Sequence, residues 1–293
     1  MKIRRTTGIL ALSAFLISAC DKQSDTQAST DELIERGMSA LKTVSYDSAY
    51  DYFARAQATL TQEDPRWTQV VYGEALSSWY QSPANKTSVN TAVGLLNQII
   101  EAKPQSEFAA SAMIDLGRIH EVVDYPGDEA DVEAAQSYYN KVRDQFADSD
   151  MSIRASIYLA QSMAQSLTPE NIREAISVLN QELMKQPSPS WSGLLQQYKA
   201  QLYAYYLHEP KQALEPYAEA MRDGFPKTSD SDKYLWQLGV LAGDNDDLKL
   251  ESEAYTNILN NYPRSAYGSV ARDELTSIQQ AHPELGIQLP QQH

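Results

Sequence analysis

The chain repeats. A pattern of alanine, a large residue four positions on and a small or aliphatic residue three further appears as Ala49-Phe53-Ala56, Ala92-Leu96-Ile99, Ala135-Tyr139-Val142 and Ala213-Tyr217-Ala220. Weaker copies are Ala175-Leu179-Glu182 and Glu251-Tyr255-Ile258. Successive copies begin 43, 43, 40, 38 and 38 residues apart. A near-constant period of this length is the mark of a repeat architecture. Offsets of four and three place the three side chains on one face of a helix. There the small residue admits a neighbouring helix and the large one fills the space opposite.

Each copy is followed by a segment that stops a helix: Glu63-Asp64-Pro65, Lys103-Pro104, Phe146 to Asp150, Gln186-Pro187, Phe225-Pro226 and Tyr262-Pro263. Proline cannot continue a helix and disfavours the α conformation in the residue before it. Between these stops lie runs of helix formers with apolar spacing at 68–80, 106–122, 151–166, 191–207 and 231–242. The result is a series of helix-turn-helix units. Gly37 and Gly239 each stand twelve residues before their repeat's first marker, where two paired helices would pack closest. A last helix from about Ala266 to Ala281 would cap the array. The loop from Glu121 to Glu133 interrupts it with a Pro126-Gly127 turn and six carboxylates, a composition that suits a solvated surface loop.

These markers resemble the tetratricopeptide repeat, with its small-large-small signature in the second helix and a proline soon after. The resemblance covers about residues 31–282, although the period is longer than the family's and the early tryptophan of its first helix is mostly missing. The last copy, from Ala254 to Tyr267, is similar to repeats of BamD- and CpoB-like bacterial envelope proteins. The resemblance implies an all-α, right-handed α-solenoid of about six helix pairs with a C-terminal capping helix. Its concave surface, lined by first helices, would bind a protein or peptide.

The N-terminus predicts where such a scaffold works. Lys2, Arg4 and Arg5 precede an apolar stretch from Gly8 to Ile17, which is too short to cross a bilayer and reads as an export signal. The segment Leu16-Ile17-Ser18-Ala19-Cys20 resembles the bacterial lipobox, which implies cleavage after residue 19 and acylation of Cys20. Cys20 is the only cysteine of 293 residues, so no intramolecular disulfide competes for it. Residues 20–30 then form a polar, aperiodic tether, 31–282 the helical body and 283–293 a disordered tail. Asp21 matches the residue that in enteric bacteria retains lipoproteins at the inner membrane, and it favours that membrane over the outer one. The expected location is the cell envelope, lipid-anchored and facing the periplasm.

Charge narrows the partners. The chain carries 24 Lys+Arg against 39 Asp+Glu, and cleavage would remove three of the cations and none of the anions. A diffuse anionic balance argues against nucleic acid and against docking on anionic lipid by charge. The expected partners are envelope proteins or peptides at the concave face, with the bilayer reached through Cys20.

No enzymatic constellation emerges, and neither a cofactor nor a metal is expected. Ser39-Ala40-Leu41-Lys42 matches a Ser-x-x-Lys motif without the strand that such enzymes place beside the serine. Asp244-Asn245-Asp246-Asp247 begins like a calcium loop, but Leu248 stands where an oxygen ligand is required; it reads as a polar turn able to cap a helix. The four histidines are scattered, with no ligand spacing.

Candidate partner-binding residues are aromatic. Tyr198, Leu202 and Tyr205 share one helical face, which the spacing assigns to the core. Tyr203 and Tyr206 share the adjacent face and are candidates for the groove, as are Trp79 and Trp236, because aromatic side chains give contact area at low entropic cost. The alternative function is a ligand- or glycan-binding helical-repeat lipoprotein, which would pair exposed aromatics with carboxamides in one pocket.

Overall fold

A computed structural model of the protein describes residues 28–225 and 231–290. Among them are thirteen α-helices and no strand. Helices follow one another as α1 (Thr30–Lys42), α2 (Tyr46–Gln57), α3 (Trp67–Trp79), α4 (Lys86–Ala102), α5 (Glu107–Glu121), α6 (Val132–Gln145), α7 (Asp150–Ala164), α8 (Pro169–Met184), α9 (Pro189–Gln201), α10 (Pro210–Asp223), α11 (Ser231–Gly243), α12 (Leu248–Asn261) and α13 (Gly268–Ala281). In chain order these are six first and second helices followed by a terminal one, as the period requires. The chain divides into two compact units, one ending at Ser82 and the other beginning at Pro83.

Side-chain caps set many of the starts. Ser29 and Glu32 form a reciprocal capping box on α1, with the Glu32 amide donating to Ser29 Oγ at 3.3 Å and the Ser29 amide to Glu32 Oε2 at 2.8 Å. The expected tether therefore ends earlier than residue 30, because Ser29 and Thr30 already belong to the cap and the first turn. Asn85, Ser106, Asp131 and Thr168 accept from first-turn amides of α4, α5, α6 and α8. Asp247 does the same for α12, accepting from the Leu250 amide at 3.1 Å, so the Asp244–Asp247 segment is the capping turn the sequence suggests. Each cap satisfies amides that have no partner inside the helix and is worth about 1 kcal/mol.

In the first unit, α1 and α2 pack antiparallel with α3 against them. Phe53 is fully buried, and its ring fills the space left by two glycines. A β-carbon on Gly37 would stand 2.9 Å from that ring and one on Gly73 2.6 Å from it. In the second unit α5 packs on α6, α7 on α8, α9 on α10 and α11 on α12, with α6 also on α7 and α13 closing on α12. Every residue of the six sequence triplets is buried. For the apolar members, burial of a leucine-sized side chain contributes about 2 kcal/mol each.

Two features depart from the expected body. First, helix α9 passes directly into a π-helical turn, Leu202–Tyr206, in which the Leu207 amide reaches back to the Leu202 carbonyl at 3.0 Å. Second, residues 283–290 are packed and not disordered. After a short 3-10 turn at Pro283–Leu285, Gln279 Nε2 donates to the Ile287 carbonyl at 2.7 Å and Arg272 to the Pro290 carbonyl at 2.9 Å. Ile287 and Leu289 lie against the core built by α10 to α13, and this apolar burial offsets the entropy of ordering the tail.

Candidate partner-binding face

Cys20 and Asp21 lie outside the described residues, as does the export signal. The four aromatic candidates fall in different surroundings.

Trp79 is only 5% exposed. This corrects its assignment to an accessible groove: the indole is a core group at the end of α3. The ring of Tyr80 beside it is the exposed one, stacked on Trp79 at 4.6 Å and on Tyr46 at 5.4 Å between centroids. Position along the helix decided this, since Trp79 and Tyr80 are equally aromatic but point about 100° apart.

The π turn decides the fate of the tyrosine cluster. Leu202 is fully buried, while Tyr205 is 51% and Tyr206 42% exposed. An α-helix would place Tyr205 on the same face as Leu202. A π turn closes i to i+5 and rotates less per residue, so Tyr205 stops short of the core and emerges beside Tyr206. The expectation of a buried Tyr205 is thereby overturned. Tyr203 is half-buried and wedged between the core of α7 to α9 and that of α10 to α13, so it serves as a bridge between two cores. Trp236 is also half-buried, stacked on Tyr267 at 5.1 Å with a 19° interplanar angle.

Neighbouring first helices extend this aromatic surface. The Arg118 guanidinium of α5 sits 5.7 Å above the half-buried ring of Tyr158 on α7, and Tyr158 in turn stacks on Tyr139 at 5.7 Å. The Tyr139 hydroxyl donates to Glu121 Oε2 at 3.1 Å. Burial pushes the Tyr198 hydroxyl well above its ordinary value, and the proximity of Tyr206 and Glu121 pushes it further. Glu121 of α5, Tyr198 of α9 and Tyr206 of the π turn therefore share one electrostatic neighbourhood. Tyr217 lies beneath Tyr205, and its buried hydroxyl neighbours the Tyr205 phenol without reaching good hydrogen-bond geometry. Burial and the adjacent Tyr205 hold that phenol in its neutral form.

Sequence reasoning missed the buried carboxylates. Glu182 is 1% exposed, and its Oε1 accepts from Ser156 at 2.8 Å and Ser152 at 3.2 Å. Lys185 pairs with its Oε2 at 2.9 Å, and Arg143 approaches Oε1 at 3.7 Å. Glu74 is buried on α3 without such partners; its Oε2 has no hydrogen bond, and burial raises its carboxyl to about 7. A signal for two of them was present. Glu182 and Glu251 each replace a small or aliphatic residue within the repeat triplet.

Among the described residues no three His, Cys, Asp or Glu side chains converge as a metal site, and no helix is long and apolar enough to cross a membrane. What the face offers chemically is recognition: exposed phenols that stack and donate, a guanidinium, and a carboxylate that accepts. No protein-family model matches the chain, and no curated protein matches it in sequence.

Proposed function

We propose that this protein is a membrane-anchored periplasmic scaffold of the tetratricopeptide type, which binds protein partners of a cell-envelope complex. The observation that carries the reading is the face built by first helices of the second unit. There Arg118, Tyr158, Tyr198, Tyr205 and Tyr206 come from α5, α7, α9 and the π turn and combine aromatic area with charge. Such surfaces, held by rigid helices, bind polypeptide well because tyrosine and arginine dominate interface energetics. The lipobox-like segment ending at Cys20 supports a lipid anchor, and Asp21 supports the inner membrane.

The test is affinity purification from the native host in mild detergent, with mass spectrometry as readout. Envelope proteins recovered in stoichiometric amount with the natural chain, reduced with Cys20→Ser and with Tyr206→Ala, support the scaffold. Recovery of no protein under conditions that preserve other envelope complexes overturns it.

A second reading, glycan or ligand binding, draws on a cleft of about 810 Å³ along α12, where Asn257, Asn260, Asn261 and Gln288 present carboxamides. Its described lining holds no aromatic ring for a sugar to stack on, which leaves the scaffold as the better supported function.

A further inference from the structure

The last helix pair departs from the repeat at its first signature position. Where the other five pairs carry a fully buried alanine, α12 carries Glu251, which is 7% exposed. Its carboxylate lies directly on the backbone of α11, where a β-carbon on Gly243 would stand 2.9 Å from Glu251 Cδ. Among the described residues no hydrogen bond or ion pair satisfies it, in contrast to Glu182, which two hydroxyls and two cations surround.

Glu251 lines a cleft of about 430 Å³ between α11, α12 and α13. Asp244 and Glu274 line the same cleft, and among the described residues no Lys or Arg does. The one basic lining group, His282, has its Nδ1 3.1 Å from Glu284. Helices α11 and α13 both end here, at Gly243 and Ala281, and helix C-termini bring further negative potential. Burial, with Glu274 and Asp244 nearby, pushes the Glu251 carboxyl up to about 6. The remaining wall is apolar, contributed by Val240, Leu248 and Ile278.

We infer that this cleft is a binding site for an organic cation with an apolar stem, an alkylammonium or alkylguanidinium group whose charge meets Glu251, Glu274 and Asp244. A bare metal ion does not suit it, since these carboxylates do not converge on one point. A stemmed cation does, because methylene groups cover the apolar wall while the head group supplies the missing counter-charge. The chemistry has two sources: a lysine or arginine side chain of a partner polypeptide, or a free diamine. The site is separate from the first-helix face, so its failure leaves the purification test above untouched.

The experiment is calorimetric titration of the full chain, in mild detergent, with N-acetyl-arginine amide, with putrescine, and with N-acetyl-norleucine amide as the neutral analogue. Saturable binding of a cationic probe is expected, weakened at least tenfold by Glu251→Gln and by Glu274→Gln and unchanged by Glu253→Gln, which lies in a different cleft. Tighter binding of the arginine amide assigns the site to a polypeptide, and tighter binding of putrescine assigns it to a free diamine. Absence of saturable binding, equal binding of the neutral analogue, or affinity indifferent to both glutamate substitutions overturns the inference.

Discussion

The ring of Tyr139 lies so close to Gly117 that a β-carbon on the glycine would stand 2.5 Å from Tyr139 Cε1. This contact sets the spacing of α5 and α6. Gly117→Ala forces one helix away or the ring out of its rotamer and should cost about 2 kcal/mol, even after the alanine's better helix propensity. Gly94→Ala is the counterpart: nothing lies within 4 Å of its added methyl group on α4, so it should stabilise by about 0.5–1 kcal/mol. Denaturant titration of both variants checks the pair, and equal effects would contradict the close approach.

Two tyrosines at the same repeat position should respond oppositely to loss of their hydroxyls. The Tyr139 hydroxyl donates to the Glu121 carboxylate, whereas that of Tyr217 is buried beside the Tyr205 phenol without good hydrogen-bond geometry. Tyr139→Phe should cost about 1–2 kcal/mol, and Tyr217→Phe should be neutral or slightly stabilising. Thermal melts of the two variants side by side decide it; a clear loss for Tyr217→Phe would mean that its hydroxyl is satisfied.

The Glu182 cluster should behave as a unit. Ser156→Ala removes a donor to a buried carboxylate and should cost about 2 kcal/mol, and Glu182→Ala about 3 kcal/mol by orphaning the hydroxyls and both cations. The double variant should lose less than the sum, because both substitutions break the same contact. Additive losses in a double-mutant cycle would show that the two groups are not coupled.

Glu74 makes stability depend on pH. Burial raises its carboxyl from 4.5 to about 7, so the folded chain holds this proton more tightly than the unfolded chain does. The associated stability is fully present below about pH 4.5 and is lost as pH rises through about 7. The loss amounts to about 3 kcal/mol. Glu74→Gln should therefore gain on the natural chain as pH rises from 4.5 to 8. A stability difference between the two that does not change with pH would place the Glu74 carboxyl back in the ordinary range.

Most of the helical framework was legible in the sequence because its determinants are local. Triplets such as Ala135-Tyr139-Val142 define a helical face by spacing alone, and all of them are buried. A proline follows five of the six second helices, the segment from Phe146 to Asp150 stops the other, and Asp247 caps α12 through an amide three residues away. The close packing expected at Gly37 is likewise seen against Phe53.

The candidate site was only partly legible. Tyr206 is exposed as its spacing suggests, but the π turn that brings Tyr205 out beside it leaves no mark in apolar periodicity. Trp79 was indistinguishable from a surface aromatic until its surroundings were known. The packed tail likewise depends on Gln279 and Arg272 reaching carbonyls eight and eighteen residues away.

Sequence by itself determined the period, the helix boundaries and the buried face of each helix, since these follow from contacts within one or two turns. Tertiary structure alone decided which aromatics meet solvent, and that Glu251, Glu274 and Asp244 share a cleft whose described lining holds no lysine or arginine. Those outcomes depend on how separate helices pack, and no spacing along one helix encodes them.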